Sequence, residues 1–201
     1  MKRKNSRIKR RAREVLRIEI EGLENILQNI DDGFVRAVEM IVACRGTVFL
    51  TGMGKAGIVG RKIASTLSST GTPAVALNPA EAVHGDVGMV RREDVVIAIS
   101  NSGETDEVLK VIPIIKRAGA KVISITGNPE SSMAAMSDIA LNCSVRREAC
   151  PMGLAPTASS TAALALGDAI AMSVLDERGF KKDDFARSHP AGELGKRASR
   201  R

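Results

Sequence analysis

The chain has 201 residues, of which 44% are hydrophobic and 26% charged, a balance typical of a globular protein with a sizeable core. The N-terminus is charged and has no apolar signal segment, and the most apolar stretch, residues 162–175, contains Asp168 and is shorter than the roughly 20 residues that span a bilayer. Three cysteines without metal-ligand spacing predict reduced thiols. We therefore expect a cytoplasmic protein without a membrane segment.

The net charge of +7 is concentrated at the two ends of the chain. Residues 1–13 contain eight Lys or Arg and residues 196–201 contain four, which leaves 18 basic against 23 acidic residues in between. This distribution predicts a basic N-terminal extension over 1–13, a folded domain over 14–197 and a basic tail over 198–201. A nucleic-acid or membrane contact through the extension is one interpretation, and nucleic-acid binding predicts a steep salt dependence. A solvated helix face with frayed ends is the interpretation that we favour. The only aromatic residues are four Phe, so we expect no base-stacking platform and no nucleic-acid partner.

Apolar periodicity predicts two amphipathic helices followed by five short strands that alternate with helices. This order is typical of a three-layer α/β fold with a doubly wound, parallel, five-stranded sheet, in which ligands bind at the carboxyl ends of the strands. The predicted elements are helices over 7–30 and 32–45, strands over 47–51, 74–77, 94–99, 121–126 and 139–143, and helices over 57–70, 104–118, 129–136 and 157–178.

The most informative segment is VVIAISNSGET, residues 95–105, which predicts a buried strand, a tight loop and the start of a helix. Its loop offers hydroxyls at Ser100, Ser102 and Thr105, beside the free N–H groups of the helix N-terminus. Those N–H groups and the helix dipole favour an anion, most often a phosphate. Ordinary helix capping would use one hydroxyl, and here three share a single turn. The segment therefore predicts a cradle for the phosphate of a small substrate.

The first strand ends in GMGKAG, residues 52–57, which fit the G-x-G-x-x-G pattern of dinucleotide-binding turns. That function also needs an acidic residue at the end of the second strand, where this chain has Leu77, Asn78 and Pro79. We therefore interpret the segment as a Gly-rich turn that presents Lys55 at a helix start. A packing turn with a solvated lysine is the alternative.

Four more residues stand in positions suited to chemistry. His84 follows the second strand in AEAVHGD, Glu107 lies in the first turn of the helix after SNSGET, and Glu148 precedes the last helix. His189, the only other histidine, lies in SHPAGELG near the C-terminus. Two His and a carboxylate are conceivable metal ligands, but no i, i+4 pairing supports such a site, and none is predicted.

Together these motifs are specific. In the order GMGKAG, AEAVHGD, SNSGET, REACP with LAPT, and SHPAGELG, the chain resembles the sugar isomerase domain of arabinose-5-phosphate isomerases over residues 13–197. SNSGET alone marks only the wider phosphosugar-binding superfamily. The residues that point to the isomerase branch are Lys55, His84, Glu107, Glu148 and His189.

The resemblance implies cofactor-free interconversion of D-arabinose 5-phosphate and D-ribulose 5-phosphate, by a homotetramer that supplies 3-deoxy-D-manno-octulosonate (Kdo) for lipopolysaccharide or capsule. It implies catalytic relevance for Lys55, Glu107, Glu148 and His189. Predicted substrate contacts, from the resemblance and from the loops, are Gly54, Gly71, Thr72, His84, Ser100, Asn101, Ser102, Thr105, Ser144 and Arg146.

Aldose–ketose isomerisation needs a base to move a proton between neighbouring carbons and a donor or cation to stabilise the enediolate. We assign the base to Glu107 and the electrostatic stabiliser to Lys55. His189 or His84 would assist ring opening and proton movement on oxygen. Glu148 would orient or tune one of these groups.

The chain departs from the family in two ways. Many members continue into a pair of cystathionine-β-synthase-type repeats, whereas this chain ends soon after SHPAGELG, so we expect a stand-alone form or a part of a longer protein. Some members carry a metal-binding His at the position of Asn78, which is a poor zinc ligand. Two alternatives stay open, an isomerase of another phosphosugar and a non-catalytic phosphosugar sensor. A sensor needs the hydroxyl loop but not all five polar candidates.

Overall fold

The computed structural model describes residues 2–189 together with Glu193 and Arg197. Strands and helices alternate as predicted. The strands are β1 (Val48–Thr51), β2 (Ala74–Leu77), β3 (Val95–Ile99), β4 (Lys121–Thr126) and β5 (Ile139–Asn142). The helices are α1 (Lys2–Gln28), α2 (Asp32–Val42), α3 (Lys55–Ser69), α4 (Pro79–Ala82), α5 (Asp106–Arg117), α6 (Ser132–Met136), α7 (Ala158–Glu177) and α8 (Lys182–Ser188), with a short 3₁₀ turn over Asp86–Met89.

The five strands form one parallel sheet in the order β2-β1-β3-β4-β5, which confirms the predicted doubly wound topology. The central strands are buried on both faces, as their continuous apolar runs predict. Alternate residues of β3 separate two apolar cores. Val95 and Ile97 face α2, α3 and α7, whereas Val96 and Ala98 face α5 and α6. The strand order reverses between β1 and β3, where such sheets open a ligand crevice.

Helix α7 forms the centre of one core. A Cβ at Gly167 would lie 2.2 Å from the Cδ1 of Ile63, so glycine is what allows α3 and α7 to approach so closely. The expectation that no apolar segment reaches membrane-spanning length is wrong. Among the residues described, α7 is a helix of 20 residues that is long and apolar enough to cross a membrane. Half of this apolar stretch is buried inside the protein, and Ala162 and Ile170 are fully enclosed, as in the core helix of a globular domain.

The N-terminal helix is longer than predicted. The basic segment continues α1 up to Lys2, five residues before the predicted start, because Lys and Arg are good helix formers and the first Gly is Gly22. Residues 5–13 are exposed on every side. The segment that the charge pattern marks as an extension is therefore a helix that projects from the domain.

Candidate functional site

A cavity of about 360 Å³ opens at the carboxyl ends of the central strands, on the α3 and α7 side of the sheet. It lies beside the reversal point between β1 and β3, where the topology predicts a ligand site. Its polar lining comes from the loops after β1, β3 and β4 and from the start of α7. The lining residues other than the apolar ones and Cys143 are Lys55, Ser100, Asn101, Ser102, Thr105, Thr126, Gly127, Ser159 and Ser160.

The loop after β3 forms one wall of this cavity. The hydroxyl of Ser100 lies 2.8 Å from that of Thr105 and 3.4 Å from that of Ser102, and it accepts the N–H of Gly103 at 3.1 Å. Thr105 occupies the N-cap position of α5, yet its side chain makes no cap hydrogen bond. Ordinary capping therefore does not account for this hydroxyl, and the first N–H groups of α5 lack a side-chain partner on the loop.

Gly103 fixes the shape of the loop. Its φ of +70° lies in the left-handed region, and a Cβ there would approach the hydroxyl oxygens of Ser131 and Thr126 to 2.0 and 2.9 Å. The neighbouring Glu104 accepts the N–H of Ser132 at 2.7 Å, and this hydrogen bond lowers the pKa of the carboxyl. The cradle is thereby attached to the start of α6.

The Gly-rich turn places a second helix N-terminus at the cavity. Helix α3 begins at Lys55, and its N-cap is Gly54, which has φ +58° and no side chain to cap the helix. Lys55 lines the cavity and forms no ion pair with any described residue. Gly54 faces an adjacent groove that also contains Asn78. Two helix N-termini without a side-chain cap, and one cation without an ion pair in the described part of the chain, therefore meet the loop hydroxyls.

The third helix at the cavity is already capped by a carboxylate. Glu148 accepts the N–H of Thr157 at 2.7 Å, the Thr157 hydroxyl at 2.9 Å and the N–H of Ser159 at 3.3 Å, together with the Ser159 hydroxyl. Burial by itself raises the pKa of Glu148, but these hydrogen bonds outweigh it and hold the pKa below its ordinary value. Glu148 is therefore an ionised anchor of α7. An incoming anion is directed to α3 and α5 instead.

Replacing Glu148 by Gln is expected to lower the free energy of unfolding at pH 7 by about 1 kcal/mol, the usual effect of losing a helix cap. Because the folded pKa is depressed, the stabilisation is present above the unfolded pKa of about 4.3 and is lost as the pH falls through the folded value. Urea denaturation of both proteins between pH 7 and pH 3 measures this. If Glu148 anchors α7, the difference in the free energy of unfolding between the wild type and Glu148→Gln becomes smaller as the pH falls. A difference that stays constant with pH contradicts this role. Glu130→Gln, in an exposed loop, is the control.

The other predicted residues at this end of the sheet lie around the cavity. His84 is exposed in the turn after α4. Glu107 is half-buried in the first turn of α5, two residues from Thr105 but outside the lining of the cavity. Ser144 follows β5 and is held by Asn25 of α1, whose Nδ2 donates to its carbonyl at 2.8 Å. Arg146 is exposed in the following loop.

Three predicted residues lie at the opposite end of the sheet, where the strands begin. Gly71 and Thr72 follow the C-terminal end of α3, whereas Lys55 begins that helix. His189 stacks on Phe185 at 3.9 Å, and its neighbour Ser188 donates to the carbonyl of Ser69 at 3.4 Å, so it lies at the same end. At 1.5 Å per residue, α3 separates Lys55 from Ser69 by about 21 Å. Within one chain, His189 therefore lies away from the strand ends that carry Lys55.

Sequence reasoning missed part of the cavity wall. The missed residue is Thr126, which ends β4 beside the cradle; Ser159 and Ser160 belong to the hydroxyl cluster before the last helix, which the sequence indicates can cap that helix or touch a ligand. Because the carboxyl ends of neighbouring parallel strands meet at one edge, the position of Thr126 could have revealed it. No group of three or more His, Cys, Asp or Glu within the described part of the chain is arranged to hold a metal ion.

Known proteins resemble the chain over most of its length. The family model described as the SIS domain matches residues 41–173. The arabinose 5-phosphate isomerase KdsD of Pseudomonas aeruginosa is 51% identical over 92% of this chain, and that of Escherichia coli is 53% identical over the same share. The chain spans about 57% of the length of these curated relatives. The structure of an E. coli CFT073 protein in complex with arabinose 5-phosphate matches with a TM-score of 0.89 at 39% identity, covering 92% of this chain and 99% of that one.

Proposed function

The chain belongs to the SIS domain family, and we propose that it catalyses the reversible isomerisation of D-arabinose 5-phosphate and D-ribulose 5-phosphate without a cofactor. The observation that carries the proposal is the cradle: the hydroxyls of Ser100, Ser102 and Thr105 share one cavity with Lys55 and the uncapped starts of α3 and α5. The identity to isomerases of this substrate, and the complex of a similar protein with the sugar, support the choice of phosphosugar.

The charge distribution around the cavity suits a phosphate at one end. The free N–H groups and positive dipole ends of α3 and α5 stabilise a dianion there. The start of α7 carries the carboxylate of Glu148, which repels a second anion. We therefore place the phosphate on the Ser100–Thr105 loop and the sugar carbons toward α7, with Asn101 and Ser102 beside the phosphate.

The chemistry then follows from the side chains. A base removes the proton from C2 of the open-chain aldose, exchanges it with solvent and delivers a proton to C1, while a cation stabilises the enediolate oxygens. Lys55 has the position and charge for the second task, and Glu107, beside the cradle, is proposed as the base. Glu148 positions α7 through its hydrogen bonds. His84 would contact the sugar from the turn after α4.

We further propose a homotetramer in which one site receives residues from two copies. The support is the separation of about 21 Å between the two ends of α3, which keeps His189, Gly71 and Thr72 away from Lys55 within a chain. In a closed oligomer the far end of one protomer can cover the cavity of its neighbour. His189 would then assist ring opening in the partner's site. Ser144 and Arg146 remain proposed substrate contacts.

In this proposal the enzyme is cytoplasmic, and its arabinose 5-phosphate would be used to make Kdo for lipopolysaccharide or capsule. The proposed catalytic unit is residues 14–197, between the basic N-terminal segment and the tail at 198–201.

Product identification tests the proposal. The protein is incubated with ribulose 5-phosphate, and the sugar that forms is identified by ¹³C NMR. Arabinose 5-phosphate as the product supports the proposal. If ribulose 5-phosphate is not converted but a hexose or heptose phosphate supplied as substrate is, the protein is an isomerase of another phosphosugar. Saturable binding of phosphosugars without turnover would indicate a sensor.

A further inference from the structure

Helix α1 is apolar on two opposite faces, and only one of them packs against the domain. The packed face includes Ile18, which is 5% exposed, and Ile26, which is 6% exposed. On the other side Leu16, Ile20 and Leu27 are 60%, 53% and 75% exposed. At about 100° per residue, these three positions lie opposite Ile18.

The exposed face has the spacing of a helix-pairing seam. Leu16, Ile20, Leu23 and Leu27 follow the alternating four- and three-residue steps of two consecutive heptads, with Leu23 half-buried. We call these four residues the α1 seam. A surface helix of a monomer has no reason to repeat large aliphatic residues at this spacing on its solvent side.

The same helix is strongly divided in charge. Residues 2–17 contain nine Lys or Arg and one acid, Glu14, which pairs with Arg11 at 2.9 Å. Residues 18–35 contain five acids and no Lys or Arg. Each half therefore complements the opposite half of an identical helix.

We propose that α1 pairs antiparallel with α1 of a second copy of this chain, through the α1 seam. Leu16 would pack on the partner's Leu27, and Ile20 on the partner's Leu23. In this register Arg17 flanks the seam opposite the partner's Glu24, and the two-fold axis repeats that ion pair. Arg17 and Glu24 are both exposed and seven residues apart, so neither pairs with the other within one helix.

The charge pattern selects this orientation. A parallel pair would place the two basic halves side by side and the two acidic halves side by side, and like charges at that spacing repel. The antiparallel pair places the segment near Arg10 over the partner's Asp31 and Asp32. Pairing of copies through α1 is independent of the proposed reaction, because none of the seam residues lines the cavity.

Sedimentation equilibrium of the full chain tests the pairing. Ile20→Asp buries an unpaired charge in the seam and is expected to weaken one association step by more than tenfold. Arg17→Glu and Glu24→Arg are each expected to weaken it by roughly fivefold, since each places like charges together. The double variant Arg17→Glu/Glu24→Arg restores the ion pairs with reversed sign and is expected to recover the wild-type dissociation constant. Glu130→Arg, an exposed charge reversal on the β4–α6 loop, is the matched control.

Circular dichroism confirms that each variant is folded. Recovery in the double variant supports the pairing when Glu130→Arg, which changes the net charge as much as Glu24→Arg does, keeps the wild-type dissociation constant, because this excludes an effect of net charge. The proposal is overturned if Ile20→Asp keeps the wild-type dissociation constant, or if the double variant is weaker than both single variants. Unchanged association in all variants would leave another acidic partner, such as an anionic lipid surface, as the occupant of the basic half.

Discussion

Replacing Lys55 by Met is expected to lower kcat by about 100- to 1,000-fold, the usual effect of losing one preorganised group that stabilises an oxyanion. Lys55 lines the cavity next to the hydroxyl cradle and forms no ion pair among the described residues, so its charge is available to the enediolate. Steady-state kinetics with arabinose 5-phosphate measure the effect. KM is expected to change far less than kcat, because the charge acts mainly on the transition state.

Lys62→Met is the matched control for this prediction. Lys62 lies two turns further along α3, is exposed, and pairs with Asp168 at 2.5 Å. Losing an exposed ion pair changes stability little, so near-normal turnover is expected. Equal losses in the two variants, or a Lys55→Met protein with wild-type kcat, would contradict the assignment.

Mixing variants extends the test to the shared site. Lys55→Met and His189→Asn each lack one group: Lys55 begins α3, whereas His189 follows Ser188, which contacts Ser69 at the other end of this helix, about 21 Å away along its axis. If one site takes Lys55 from one copy and His189 from the next, exchange of subunits creates some intact sites. Activity in the mixture that neither variant shows alone supports the arrangement. No recovery after confirmed subunit exchange contradicts it.

Replacing Glu107 by Gln is expected to lower kcat by about 100- to 10,000-fold, the range that general-base catalysis contributes. The amide keeps the size of the side chain but cannot take a proton from carbon. Glu107 lies two residues from Thr105 but does not line the cavity of a single chain. The bound substrate, or a neighbouring copy, must therefore bring the reacting carbon close to its carboxylate. Single-turnover kinetics with bound sugar separate this loss from a binding defect.

Asp106→Asn is the control for the base, because it removes a carboxylate from the same helical turn. Asp106 is exposed, and its charge only complements the helix dipole, so a change of a few-fold at most is expected. If Glu107→Gln turns over at near-normal rate, another group abstracts the proton. Glu148 is then a weak candidate, because four hydrogen bonds already occupy its carboxylate.

The parts of the site that could be predicted are those encoded by contiguous residues. A strand, a loop and a helix start follow one another in residues 95–105, so the sequence contains the cradle almost whole. The same holds for Lys55 behind its Gly-rich turn. The sheet order follows from the alternation of strands and helices together with the handedness of parallel crossovers.

What could not be predicted depends on distances between segments. That His189 lies at the far end of α3 follows from the docking of α8 beside Ser69, which no local pattern encodes. In the sequence, Glu148 is only a polar residue of a loop. Its role depends on the fold, which brings the N–H groups of Thr157 and Ser159 to its carboxylate. The basic run at the N-terminus suggests an extension, but its continuation as α1 depends on helix propensity, which charge alone does not reveal.

The central claim is proton transfer on a phosphosugar held in the Ser100–Thr105 cradle, and one measurement tests it most directly. Arabinose 5-phosphate is incubated with the protein in deuterated water, and the C2 proton is followed by ¹H NMR while ribulose 5-phosphate forms. Because the protonated base exchanges with solvent, the account predicts that the wild-type protein places deuterium at C1 of ribulose 5-phosphate and at C2 of the remaining arabinose 5-phosphate, and that Glu107→Gln abolishes both. Formation of ribulose 5-phosphate with complete retention of the original hydrogen, or no turnover by the wild-type protein, would contradict it.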